Sequence, residues 1–184
     1  MTTLLLGLLL AQQLQVAPQP KSRPESIENA LVILEGVVNE AGRLTEVRVM
    51  QGPAPFIQPS LDSVKEWEFT PPAEPQHVSV TFLYRARTIL PDKPNEFAVQ
   101  TTCCALPTYV VDPGYPVDSV GEGSVILRVK VNAHGALDHV SVVRREPSLT
   151  EAAVNAVRRW KFETDRPADA VVVISFLRPV LSSQ

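Results

Sequence analysis

The chain has 184 residues, is 45% hydrophobic and 20% charged, and carries a formal net charge of −3. A slightly acidic balance without a run of Lys and Arg excludes the clustered basic surface that a nucleic-acid backbone requires. The length suits two cores of about 70 to 80 residues each, near the lower limit for independent folding.

From the N-terminus, Leu4 to Ala11 is a short apolar run, followed by Gln12 and Gln13 and then by Ala17-Pro18. It reads as the apolar region and tail of a secretory signal peptide over residues 1–17, although no Lys or Arg precedes it. The run is too short to cross a bilayer, which takes about 20 apolar residues. Export to the periplasm or cell envelope is therefore expected, with an N-terminal membrane tether left open. Residues 18–26 are rich in Pro and polar side chains, bury too little apolar surface to order themselves, and read as a tether.

A first folded unit is expected over residues 27–90. Leu31 to Val38 reads as a strand, Asn39-Glu40-Ala41-Gly42 as a turn and Leu44 to Met50 as the returning strand. Pro53, Pro55 and Pro59 delay the predicted helix until near Ser60, and it must end by Phe69, with Leu61, Val64 and Trp67 left to pack. Val78 to Tyr84 is the last strand, in which Val78, Val80 and Phe82 alternate with Ser79 and Thr81.

Residues 91–112 form a Pro-rich linker, expected to lie extended. It holds Cys103-Cys104, the only cysteines of the chain. They read as a vicinal disulfide formed after export or as two plain thiols. A redox role is the sharper alternative, and no further thiolate or imidazole stands nearby at metal-ligand spacing.

The second unit, residues 113–180, is clearer. Val125, Leu127, Val129 and Val131 alternate with Ile126, Arg128 and Lys130, so a strand with one apolar face is expected. Asn132-Ala133-His134-Gly135 has the Asn and Gly of a type I turn, and Leu137, Val140 and Val142 mark the return strand, stopped at Pro147. Ser148-Leu149-Thr150-Glu151 has the form of a capping box. Leu149, Ala153, Ala156, Val157 and Trp160 then share one helix face. Val171 to Leu177 is an apolar, β-branched last strand. His134, Asp138 and His139 flank the turn, where polar residues are ordinary, and no metal or cofactor is expected there or elsewhere.

The two units repeat at a constant offset of 93 residues. Val32-Ile33-Leu34 returns as Val125-Ile126-Leu127, Gly42 as Gly135, Leu44 as Leu137, and Trp67-x-Phe69 as Trp160-x-Phe162. A period this long marks a duplicated small domain and not a solenoid. The expected fold class is α+β: two β-β-α-β repeats, each a small antiparallel sheet with one helix on one face. Trp67, Phe69, Trp160 and Phe162 are assigned to the cores, and Gly42 and Gly135 to the turns.

Tyr115-Pro116, Gly123 opening a Val-rich strand, Gly135, a helix ending in Trp160-x-Phe162 and a final strand together resemble the C-terminal domain of TonB, the energy transducer of Gram-negative bacteria. The first unit is similar through Gly42, Trp67-Glu68-Phe69-Thr70-Pro71-Pro72-Ala73 and its last strand. The second has Thr164 where the family has a proline two residues after the phenylalanine, and the first lacks the Tyr-Pro pair. The resemblance implies a protein-interaction module that takes up an extended segment of an outer-membrane transporter by strand addition on the edge of its last strand. By position these residues are Val171, Val172, Val173, Ile174, Ser175, Phe176 and Leu177. A structural or assembly scaffold whose two last strands pair in cis, leaving no docking edge, is the alternative. A thiol-redox protein acting through Cys103 and Cys104 is a distant third. The partner is expected to be a protein or peptide, not a nucleic acid or small molecule. No phosphate loop, nucleophile elbow or carboxylate pair marks an enzyme.

Overall fold

The computed structural model describes residues 14–18, 24, 28–87, 95–96 and 104–178. The apolar run at the N-terminus and Cys103 lie outside these residues, and with them the expected signal sequence up to residue 13 and the Cys103–Cys104 disulfide.

The elements run β1 (Leu14–Val16), β2 (Ala30–Val38), β3 (Leu44–Gln51), α1 (Ala54–Lys65), β4 (Glu68–Phe69), β5 (Gln76–Ala86), β6 (Asn95–Glu96) and β7 (Leu106–Val110). They continue as β8 (Gly123–Val131), β9 (Leu137–Arg144), α2 (Thr150–Val157), β10 (Lys161–Glu163) and β11 (Ala168–Leu177). Over the described residues the protein is a mixed α+β structure with two helices and a predominance of strands.

The expectation of two small antiparallel sheets is corrected by the strand pairing. Six strands form one sheet in the order β3-β2-β5-β11-β8-β9. Its middle pair, β5 and β11, is parallel and in register from Ala170↔Ser79 to Leu177↔Ala86. Every other neighbour is antiparallel. The cause lies in composition: β5 and β11 are buried along nearly their whole length, as befits strands covered on both faces. Neither could stand at the rim of a sheet without exposing apolar surface worth about 1.5–3 kcal/mol per large side chain.

Nor does each half of the chain enclose a core of its own. Alternate residues of a strand point to opposite faces. Leu31, Ile33, Leu83, Val125, Leu127, Val172 and Ile174 pack on one side with Leu149, which precedes α2, and with Ala153 and Val157 of α2. Val32, Leu34, Val80, Phe82, Ile126, Val171 and Val173 pack on the other with Phe56 and Val64 of α1. The helices thus cover opposite faces of a shared sheet, and each core draws on strands from both halves of the chain.

Helix α1 begins six residues earlier than the prolines suggested. Pro53 precedes the helix and Pro55 lies in its first turn, where backbone N–H groups lack intrahelical acceptors in any case. Only Pro59 forgoes an interior hydrogen bond, and it is buried. The capping box before α2 does not form. Ser148 Oγ instead meets Ser119 Oγ at 2.7 Å, while Thr150 Oγ1 donates to the Glu146 carbonyl at 2.8 Å and accepts from its N–H at 2.8 Å.

The hairpin turns explain why each glycine keeps its distance from Trp-x-Phe. Gly42 and Gly135 have φ of 73° and 75°, and their carbonyls accept from Phe69 N at 2.9 Å and Phe162 N at 3.0 Å. A Cβ on Gly42 would lie 2.2 Å from the Phe69 carbonyl oxygen, and one on Gly135 1.9 Å from that of Phe162. Glycine is required there both for its conformation and for the closeness of the next strand. Trp67, Phe69, Trp160 and Phe162 are all at most 5% exposed.

The offset of 93 also continues upstream, where the side chains do not reveal it. β1 pairs with β4 through Leu14↔Phe69 and Val16↔Glu68, and β7 pairs with β10 through Pro107↔Phe162 and Tyr109↔Lys161. Leu14 is 6% exposed, so the last part of the segment expected as signal peptide belongs to the fold. Likewise Leu106–Val110 is a strand and not free linker. In the last strands the offset falls to 92: Val78 pairs with Gly36, and Ala170 with Val129. A gapless alignment would match Val171 with Val78 and so turn every side chain to the wrong face.

Candidate interaction site

The strand expected to offer a docking edge, Val171 to Leu177, is enclosed. Val173 pairs with Phe82 on one flank and Ile126 on the other, and Val171, Val172, Val173, Ile174, Ser175, Phe176 and Leu177 are all buried. Its polar member, Ser175, shares a hydrogen bond with Ser124 Oγ at 2.8 Å. The edge is closed by β5, buried along nearly as much of its length, which satisfies its backbone groups internally.

The rims of the sheet are the hairpin strands β3 and β9. Both are interrupted. Register shifts occur between Glu35 and Val37 opposite β3 and between Lys130 and Val131 opposite β9. At the first, Glu46 adopts φ 51°, a left-handed conformation rare for a residue with a side chain. Bulges and charges such as Glu46, Arg48, Asp138 and Arg144 are devices that discourage uncontrolled edge pairing. β3 also exposes Val49 and Met50, so it is the more apolar of the two rims.

A buried ion pair fastens residues 104–112 to the end of β5. Arg85 Nε lies 2.7 Å from Asp112 Oδ1, with side-chain exposures of 1% and 9%. Arg85 Nη1 also donates to Asn29 Oδ1 at 3.2 Å and to the Ala86 carbonyl. A cavity of about 270 Å³ opens beside the pair, bounded by Asn29, Leu31, Gln51, Tyr84, Arg85 and Asp112. Tyr84 Oη meets Ser60 Oγ at 2.9 Å. Burial pushes the Tyr84 phenol up to about 12, the serine contact opposing it. Asp169, at the start of β11, is also raised by burial, against the pull of Arg128 and Lys130. None of Asn29, Arg85 and Asp112 stood out in the sequence. The available signal was an arginine directly after Phe82-Leu83-Tyr84 in a strand otherwise without charge from Val78 on, which needs a counter-charge if the strand continues through it.

His134, Asp138 and His139 do not converge into a metal-binding group. Asp138 Oδ1 accepts from Asn132 Nδ2 at 2.9 Å and so serves the turn. Among the described residues, one set of potential ligands does converge: Glu35, His77 and Cys104. Among the same residues no helix is long and apolar enough to cross a membrane.

A hairpin, a helix, a short strand hooked under the hairpin glycine and a long final strand define a small α+β sheet module, without an evident reaction centre among the described residues. Residues 118–180 match the family model described as the Gram-negative bacterial TonB protein C-terminal. That family comprises interaction and energy-transduction domains, not enzymes. No curated protein and no solved structure matches the chain.

Proposed function

We propose that this protein is an exported, TonB-like protein-interaction module built from two tandem units, residues 14–86 and 106–178, whose last strands are occupied by each other. The observation that carries the reading is the parallel register between β5 and β11. In TonB-like domains the last strand is the one that accepts an outer-membrane transporter segment, and here that position is taken in cis. Partner contacts then fall to the rims β3 and β9, and the protein acts as an assembly or scaffolding partner in the periplasm, with a link to TonB-dependent transport.

Amide exchange on the purified chain, alone and with an extended peptide from an outer-membrane transporter, tests this. Slow exchange along both Val78–Tyr84 and Val171–Leu177, with any peptide-induced protection confined to 44–51 or 137–144, is expected. Rapid exchange at 171–177 that the peptide suppresses would restore docking on the last strand and sink the closed-seam reading.

A further inference from the structure

The sheet brings three chemically matched side chains together from segments far apart in the chain. Glu35 on β2 and His77 on β5 are diagonal neighbours, since Val37 pairs with His77 and Glu35 with Ser79. Odd-numbered residues of both strands point to the face opposite α1, as Ile33 and Leu83 do. Residues 104–111 cross that face: Ala105 and Leu106 are buried on it, and Ser79 Oγ donates to the Ala105 carbonyl. This contact sets Cys104, 3% exposed, over the Glu35–His77 diagonal.

We infer that Glu35, His77 and Cys104 form a binding site for a divalent transition-metal ion of the Zn²⁺ class. The carboxylate oxygen, imidazole nitrogen and thiol sulfur lie within 4.8 Å of one another, and His77 Nδ1 is 3.8 Å from Glu35 Oε1. Tetrahedral coordination at ordinary Zn–S, Zn–N and Zn–O lengths needs ligand separations of about 3.3–3.6 Å. Closing the site therefore takes a movement on the order of 1 Å. His77, whose side chain is 51% exposed, is free of core packing on one side and supplies that movement. The mixed N, O and S set suits a borderline ion and disfavours Mg²⁺ or Ca²⁺, which take oxygen ligands. A fourth position faces the half-exposed side and is left for water. Binding releases the thiol proton, so the ion is held as a thiolate complex and affinity rises with pH. The bound ion would clamp the start of residues 104–112 to the sheet, at the opposite end of that segment from the Arg85–Asp112 pair.

The test is titration of the intact chain with Zn²⁺ under reducing conditions against a chromogenic chelator, with Co²⁺ as the spectroscopic probe. One ion per chain and a thiolate-to-cobalt charge-transfer band in the near ultraviolet are expected. Cys104→Ser should abolish the band, and His77→Gln, at an exposed position that leaves folding intact, should weaken binding by about 100-fold or more. Glu35→Gln should weaken it to a smaller extent. Cys103→Ser and the double variant His134→Gln/His139→Gln should bind like the parent. Three results would each overturn the site: no binding by the parent chain, a band that survives Cys104→Ser but not Cys103→Ser, or affinity lost with the two turn histidines and not with His77.

Discussion

Residues 14–86 and 106–178 build the same sequence of strands and helix, yet their inner strands end differently. Counting along the ladders, Tyr84 and Phe176 occupy corresponding rungs, opposite Ala30 and Gly123, and Arg85 corresponds to Leu177. The second half closes its end of the sheet with apolar side chains, Phe176 packing edge-on against Tyr115 at 5.4 Å. The first closes it with a phenol, a guanidinium and a carboxylate reached from beyond the seam. The tryptophans differ too. Trp160 Nε1 donates to the Val111 carbonyl at 3.0 Å, whereas among the described residues Trp67 Nε1 has no acceptor. The backbone frame is therefore fixed by glycine turns and apolar alternation, while the polar fittings at corresponding places vary.

The comparison breaks most severely if the halves are independent. Val173→Pro removes a ladder donor from the strand that both halves share, and it should cost more than about 4 kcal/mol. Chemical denaturation should show the loss, and exchange protection at Val32 and Leu34 should vanish with that at Leu127. Retained protection at Val32 would mean two separate domains.

Arg85→Leu, which makes the first half resemble the second, should cost about 3–5 kcal/mol because Asp112 is left buried without its partner. Adding Asp112→Leu should recover most of it, as measured by denaturant midpoints at constant slope. If the single variant is as stable as the parent, the ion pair does not hold residues 104–112 in place.

Much of this was legible beforehand. The hairpins and the two glycines depend on residues close in sequence, and the structure has them where periodicity put them; both tryptophans, expected on the helices, lie just past helix ends at Lys65 and Val157. The cis seam stood only as the alternative to an open docking edge, although the uninterrupted apolar run from Val171 to Ile174 is what a strand covered on both faces looks like. The family resemblance drew that strand to a rim. The slip from 93 to 92 and the pairing of Leu14 with Phe69 carry no side-chain signature, because backbone pairing is indifferent to residue type. Glu35, His77 and Cys104 escaped notice because nothing along the chain links them; the sheet register alone does.

Two smaller effects sharpen the contrast. The Tyr84 phenol is raised in the folded state, so its contribution to stability is intact below about pH 10 and lost as pH rises through about 12. The loss should approach about 2–3 kcal/mol. Tyr84→Phe, matching Phe176, should flatten that alkaline limb in a urea titration series, and an unchanged limb would assign it to other groups. Finally, Trp160→Phe should cost about 1 kcal/mol more than Trp67→Phe, since only the first leaves a carbonyl without its donor. Equal costs would mean that Val111 finds another partner.

The parallel seam also governs the order in which the molecule can form. Its partners, such as Phe82 and Val173, are separated by about ninety residues, and closing so long a loop must precede any reward from the contact. A chain emerging from the ribosome holds β5 with one flank bare until β11 has been synthesised. A strand of the first half that is buried along nearly its whole length is thus the one that waits longest for its neighbour, and the slow step of folding is the meeting of the two halves.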